Sequence, residues 1–136
     1  DVACDVELIA EGMVPACSFD DVLFVAGLMA IDKNGLVPSA QTQPMAPFFH
    51  DSSHAQMADI LAKAKIIFKA AGTDLSNVVR AIQFHTDLGE FRGAYMAWDK
   101  DVREAGLPFS AIGVADTMFV PGASVLLDVW GFVPTA

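Results

Sequence analysis

One acidic residue stands where a carboxylate could do chemistry. Asp128 lies in the apolar run from Val125 to Trp130, where a buried carboxylate is costly unless it is paired or functional. In a partly buried cleft it would be placed to act as a general acid or base for a water molecule. The alternative is a hydrogen-bonded structural acid at the edge of a barrel.

Three histidines are the other titratable candidates. His85 stands late in an apolar segment that ends at Asp87, where it could face a pocket and supply a proton or bind an anion. The alternative is an exposed histidine at a strand end. His50 and His54 are four residues apart, a spacing that can place two zinc ligands on one helix face. His50 is expected to precede the helix and no third ligand is apparent, so we predict no metal site.

Large aromatic and basic residues complete the set of candidates. Phe109, Trp130 and Tyr95 could line a pocket for an apolar or aromatic ligand, although such side chains more often pack in a core or interface. Arg80 and Arg92 are interpreted as surface charges. No Ser/His/Asp arrangement, phosphate-binding glycine loop or nucleotide fingerprint is visible.

Composition limits the class of protein. The 136 residues fit one domain (1–136), and the formal net charge of −9 disfavours nucleic acid as a partner. Residues are 54% hydrophobic and the mean hydropathy is +0.44, without an apolar run long enough to span a membrane. Cys4 and Cys17 match no disulfide framework or zinc pattern, which favours a reducing, cytoplasmic location. A first residue other than Met suggests a processed, trimmed or excised domain.

The pattern of apolar residues predicts the elements that hold these candidates. Two helices are predicted, one running from caps at 51–53 to Gly72 and one capped by Asp87 and Glu90 that Gly106 and Pro108 end. The predicted strands, listed in chain order, are a weak Val6 to Ile9, a hairpin of Ala16 to Phe19 and Val22 to Ala26, then Val78 to Thr86, Ser110 to Ala115 and Val125 to Phe132. Residues 36–50, with three prolines, form the longest loop. Without the weak first strand, the order of elements is β-β-α-β-α-β-β. This order predicts an α+β fold with both helices on one face of the sheet.

The other face of that sheet poses a physical problem. The strands carry apolar residues on both sides; Val22 to Val25 is a continuous apolar run, which predicts burial on both faces. A single subunit would expose this second face to water. Trimerisation with the sheets facing inward as a barrel would cover it.

Several stretches together resemble the YjgF/RidA family, also labelled endoribonuclease L-PSP. In chain order they are Leu23 to Gly27, Ala70 to Arg80, Phe84 to Leu88, Pro121 to Ala123 and Val125 to Val129. The resemblance implies a chorismate-mutase-like subunit with a mixed sheet, a homotrimer, and small-molecule pockets at the subunit interfaces. It implies no cofactor. The best-known members hydrolyse reactive enamines and imines, such as 2-aminoacrylate, to ketoacids and ammonia.

The residues of the family pocket carry over only in part. Gly27 matches the glycine at a strand end, but the serine before it is replaced by Ala26. Asp128 matches the acid of the last strand, where a glutamate is usual. The arginine that grips the substrate carboxylate in the family falls at Phe109 or Ser110, so this chain resembles a divergent branch without it.

Two further positions depart from the family pattern. Tyr95 stands where an asparagine is common on the second helix, and Ala16 replaces a tyrosine near the chain start. The first hypothesis is therefore a hydrolase in which Asp128 activates water and the Gly27 backbone orients the substrate. In that hydrolase, His85 would bind the substrate carboxylate in place of the family arginine, or the substrate would be recognised less through a carboxylate. The second is a non-catalytic trimer that binds a small molecule or another protein. The third is a ribonuclease, which the acidic charge disfavours.

Overall fold

The computed structural model describes residues 1–102 and 109–134, and these form one mixed sheet covered by two helices. Strands β1 (Ala16–Phe19) and β2 (Val22–Val25) form the predicted hairpin, with Asp20 at a positive φ of 52° in its turn. Strands β3 (Ile31–Asp32) and β4 (Gly35–Leu36) make a separate two-stranded ribbon around a turn at Lys33 and Asn34. The remaining elements, in chain order, are α1 (Ser52–Ala70), β5 (Val78–His85), α2 (Phe91–Val102), β6 (Phe109–Gly113) and β7 (Val125–Phe132).

The order of strands in the main sheet is β1-β2-β7-β5-β6. Only β5 and β6, which α2 connects, are parallel among these pairs; the others are antiparallel. The last strand of the chain therefore lies at the centre, between the hairpin and the β5–β6 pair. This places Asp128 in the middle of the sheet.

Helix α1 lies on the sheet through the stripe that the sequence predicts. Met57, Ile60, Leu61, Ala64, Ile67 and Phe68 are all fully buried. Asp51 caps the helix by accepting a hydrogen bond from the backbone N–H of His54 at 3.0 Å. Phe68 rests on Gly131 of β7, where an added Cβ would lie 2.5 Å from the phenylalanine ring. A glycine near the end of the central strand thus allows the helix to approach the sheet.

Lys63 of α1 is buried although it lies outside this apolar stripe, and its Nζ donates to the carbonyl oxygens of Met29 (2.8 Å) and Ile31 (2.5 Å). Burial lowers the pKa of its ammonium group. The long aliphatic stem makes this burial possible, because it crosses apolar surface and brings the charge to backbone acceptors.

Other predicted elements need smaller corrections. The weak strand from Val6 to Ile9 is not formed, and the N-terminal segment pairs only through a bridge between Val2 and Ala16. Burial along β2 alternates in the single chain, since Leu23 is buried and Phe24 only partly so. Asp87 caps a short 3-10 turn (Leu88–Glu90) that leads into α2.

The predicted stop of the second helix at Gly106 and Pro108 lies outside the described residues. No helix in residues 1–102 or 109–134 has the length and apolar character needed to cross a membrane.

Candidate functional site

The sheet face away from the helices, called here the open face, is where several predicted site residues meet. Side chains alternate between the two faces of a strand, and those directed away from α1 and α2 are all partly or fully exposed. The open face comprises Cys17, Phe19, Val22, Phe24, Arg80, Ile82, Phe84, Ser110, Ile112, Leu126, Asp128, Trp130 and Phe132. Most are apolar, so the few polar groups are prominent.

Asp128 lies at the centre of the open face. The strand register pairs it with Ile82 of β5, and Ile82 is in turn beside Ser110 of β6. The carboxylate of Asp128 and the hydroxyl of Ser110 thus flank one isoleucine in a row across three strands. Asp128 is partly buried, and no side-chain hydrogen bond or ion pair of it is found within residues 1–102 and 109–134.

A second row of open-face residues crosses the sheet two residues away from Asp128 and Ile82. It consists of Phe24 on β2, Trp130 on β7 and Arg80 on β5. The rings of Trp130 and Phe24 are in edge-to-face contact, with centroids 5.1 Å apart. The guanidinium carbon of Arg80, which is paired with Trp130 in the register, lies 4.6 Å from the centre of the indole ring. This geometry is a cation–π contact. A cleft of about 350 Å³ adjoins it and is lined by Arg80, Ile82 and Ser110 among others.

Ala26 and Gly27 follow β2 directly and lie against β7. Leu28 and Leu127 exchange two backbone hydrogen bonds of 2.9 Å, which hold this segment beside the last strand. A Cβ on Gly27 would lie 3.5 Å from the side chain of Leu126, an ordinary contact. The glycine is therefore not required by crowding in the single chain, and this segment lies beside Leu126 and Leu127, which precede Asp128 in β7.

Two predicted site residues, Phe109 and Tyr95, lie on the other side of the sheet. Phe109 stacks on Phe91 and on Tyr95, with centroid distances of 5.9 and 5.8 Å. Tyr95 remains 37% exposed at the rim of this stack. The rings fill the space between α2 and β6, which fits the packing alternative for Phe109. None of them projects onto the open face.

His85 is inside the core beneath α2. It is 1% exposed, so the alternative of an exposed strand-end histidine is wrong. One ring nitrogen, Nε2, is 3.1 Å from Oε1 of Gln83, and the ring meets Phe91 edge to face at 5.6 Å. Burial lowers the pKa of the imidazole. His85 thus has no path to Asp128 through the sheet, and its predicted role as an anion-binding replacement finds no geometric support.

The two histidines with the spacing of zinc ligands lie at the start of α1. His50 immediately precedes the cap of α1, and His54 is exposed on its first turn. Within residues 1–102 and 109–134 no three His, Cys, Asp or Glu side chains converge as a metal site would require. Cys4 and Cys17 are both free thiols.

Arg80 is the open-face residue that sequence reasoning missed. The sequence marks it only as a cation in a β-rich stretch. Its place beside Trp130 follows from strand pairing across 50 residues of chain, which no local pattern reveals.

A model of the endoribonuclease L-PSP family matches residues 8–126 of the chain. No curated protein sequence gives a significant match. Among solved structures, Rv2704 of Mycobacterium tuberculosis, described as a member of the YjgF/YER057c/UK114 family, superposes with a TM-score of 0.72 at 21% identity, covering 90% of this chain and 88% of that one.

Two further structures have the same fold. RidA of the Antarctic bacterium Psychrobacter sp. PAMC 21119 gives a TM-score of 0.71 at 21% identity, with 91% of each chain covered. YyfA of Yersinia pestis, described as a Rid-family protein of unknown function, gives a TM-score of 0.71 at 18% identity, covering 91% of this chain and 90% of that one. At these identities the likeness establishes the fold.

Proposed function

The chain belongs to the endoribonuclease L-PSP family, and from this premise we propose that it hydrolyses small enamines or imines on its open face, at clefts between the subunits of a homotrimer. The observation that carries the proposal is Asp128. It is the single carboxylate among the described side chains of the open face, and it is partly buried without a partner. A structural acid would be expected to accept hydrogen bonds from its neighbours.

The chemistry asked of Asp128 is general-base catalysis. An enamine first takes a proton from solvent on carbon to become an iminium ion, and water then adds to the iminium carbon while Asp128 accepts a proton from that water. Asp128 returns the proton to the nitrogen of the carbinolamine, ammonia leaves, and the hydroxyl proton passes to solvent as the carbonyl product forms. The backbone near Gly27, which lies against β7, would orient the substrate. Ser110 beside Ile82 offers a hydroxyl that can donate or accept a hydrogen bond.

The homotrimer is proposed on the apolar character of the open face. Phe19 is 74% exposed, Ile112 is 42% exposed and Phe132 is 36% exposed. Contiguous apolar surface of this kind is typical of a protein interface. Covering it with other copies would exclude water around Asp128 and strengthen its electrostatic interactions. The free thiols fit the cytoplasmic location that we propose.

The test replaces Asp128 while keeping its shape. In Asp128→Asn, we expect the turnover of an enamine substrate such as 2-aminoacrylate, generated in situ, to fall about 10²–10⁴-fold, the usual contribution of a general base. Asp20→Asn is a matched control, because this hairpin residue has a positive φ that asparagine also tolerates. Native mass spectrometry establishes that both variants assemble like wild type. Unchanged turnover in an intact Asp128→Asn assembly would refute the role.

A non-catalytic binder is the second candidate, and the pair Phe24–Trp130 favours it. Two aromatic rings in contact on an exposed face can receive a flat apolar ligand. In that case purified protein should carry a co-purifying small molecule in native mass spectrometry. Asp128→Asn would then leave its occupancy unchanged.

A further inference from the structure

We propose that Arg80 binds the carboxylate of the substrate, beside Ser110 and on the platform of Trp130. This inference rests on the proposed function, because it assigns the acidic part of the substrate to a specific group on the same open face. The ligand class is a small 2-imino or 2-keto acid. Neither the sequence pattern nor the family resemblance assigns Arg80 this role.

A break in the strand directs Arg80 to the open face. Val78 of β5 pairs with Gly131 and is buried beneath the helices, and Arg80 pairs with the next residue, Trp130. Regular alternation would put residues 78 and 80 on one face. The irregularity between them inserts one extra residue, so that Arg80 points away from Val78. Such bulges often re-aim a side chain next to a binding site.

The guanidinium of Arg80 contacts an aromatic ring but forms no ion pair with a described carboxylate. It lies against the Trp130 ring at 4.6 Å, which fixes its position. A guanidinium in contact with an aromatic ring still has N–H groups able to form the paired hydrogen bonds that a carboxylate accepts. No carboxylate within residues 1–102 and 109–134 is within 4.0 Å of Arg80. This is notable in a chain with 17 acidic and eight basic residues, where an arginine has many possible partners.

The space around Arg80 suits a small acid. The adjoining cleft of about 350 Å³ lies along the start of β5 and β6 and is lined by Arg80 and Ser110 together with Val79, Ala81, Ile82 and Phe109, so Arg80 and Ser110 border the same volume. Arg80 and Ile82 are two residues apart on β5, and Ile82 pairs with Asp128. At about 3.3 Å per residue, Arg80 and Asp128 are therefore offset by roughly 7 Å along the sheet. A substrate whose carboxylate meets Arg80 can thus place its neighbouring carbon toward a water held by Asp128.

The experiment measures binding without turnover. Pyruvate is the probe, and methyl pyruvate is its uncharged counterpart. The reporter is the indole N–H signal of Trp130 in a ¹H–¹⁵N NMR titration, assigned with Trp130→Phe. We expect Arg80→Gln to raise the Kd of pyruvate at least ten-fold, and Arg80→Lys to raise it less, because the charge remains while the paired donors are lost. Arg92→Gln on α2 is the matched control and should bind pyruvate like wild type.

The outcomes separate this inference from the proposed function. If Arg80→Gln binds pyruvate like wild type, or loses pyruvate and methyl pyruvate equally, the carboxylate grip is overturned. A selective loss of pyruvate supports it. Asp128→Asn is expected to lose turnover. Should it keep full turnover while Arg80→Gln loses pyruvate selectively, the hydrolytic role of Asp128 fails and the anion site stands. If instead Asp128→Asn loses turnover while Arg80→Gln binds pyruvate like wild type, the hydrolytic role of Asp128 stands and the anion site at Arg80 fails.

Discussion

The two faces of the sheet use polar groups in opposite ways. On the helix-covered side, the buried polar side chains of α1 are hydrogen-bonded: Gln56 connects α1 to Ser124, and Lys63 reaches two carbonyl oxygens. On the open face, Arg80, Ser110 and Asp128 are partly or fully exposed and have no hydrogen-bond or ion-pair partner among the described residues. The first set stabilises the fold, and the second is available to a ligand or another subunit.

The difference shows that the predicted site residues must be judged by face. His85 and Asp128 stand on neighbouring strands, yet the sheet itself separates them. His85 has a protein partner and no solvent, whereas Asp128 has solvent and no protein partner. Chemistry is therefore expected where side chains are unsatisfied and reachable.

The largest expected effect compares one phenylalanine from each face. Phe68→Ala should lower the free energy of unfolding by about 3–5 kcal/mol, because the ring is fully buried against Gly131. Phe24→Ala should cost less at low protein concentration, since Phe24 is only partly buried in the single chain. Urea denaturation followed by circular dichroism measures both.

Protein concentration sharpens this test. If other copies cover the open face, the cost of Phe24→Ala should grow with concentration, while that of Phe68→Ala should not. A concentration-independent cost for both variants would contradict an assembly through the open face.

The next effect compares a satisfied and an unsatisfied polar side chain. Oε1 of Gln56 accepts from the backbone N–H of Ser124 at 2.9 Å, so Gln56→Leu leaves that donor unpaired. We expect a loss of about 1–3 kcal/mol. Ser110→Ala on the open face should change the unfolding free energy by no more than about 0.5 kcal/mol. Equal losses in thermal or urea denaturation would contradict the distinction between the faces.

The smallest effect is a pH dependence from His85. Its pKa is lowered by burial, so the unfolded chain binds a proton more readily than the folded one. The stability present above the ordinary value of 6.5 should therefore decline as the pH falls through 6.5 toward the folded pKa. One proton accounts for at most about 1.4 kcal/mol per pH unit.

The control for this dependence is a second histidine. Denaturation midpoints between pH 5 and 8 should depend less on pH in His85→Gln than in wild type. His54→Gln, at an exposed position on α1, should keep the wild-type slope. Identical slopes for all three proteins would show that His85 does not titrate between the two states.

Much of the fold could be predicted because local signals agree with it. The cap at Asp51 and the apolar stripe of α1 specify the first helix, and β7 (Val125–Phe132) has the predicted bounds. The short turn of the β1–β2 hairpin is also local. The buried amine of Lys63 was missed, because its acceptors come from residues more than 30 positions away.

The sequence by itself determined the two helices, the five strands of the main sheet, their order along the chain and the apolar character of both sheet faces, because spacing and capping act within a few residues. Only the tertiary structure decided which face each polar residue occupies. Strands with apolar residues on both sides give no local sign of the side that the helices cover, and one bulge reverses the alternation at Arg80. The pairing of β5 with β6 and β7 then brings Arg80, Ser110 and Asp128 together on the open face.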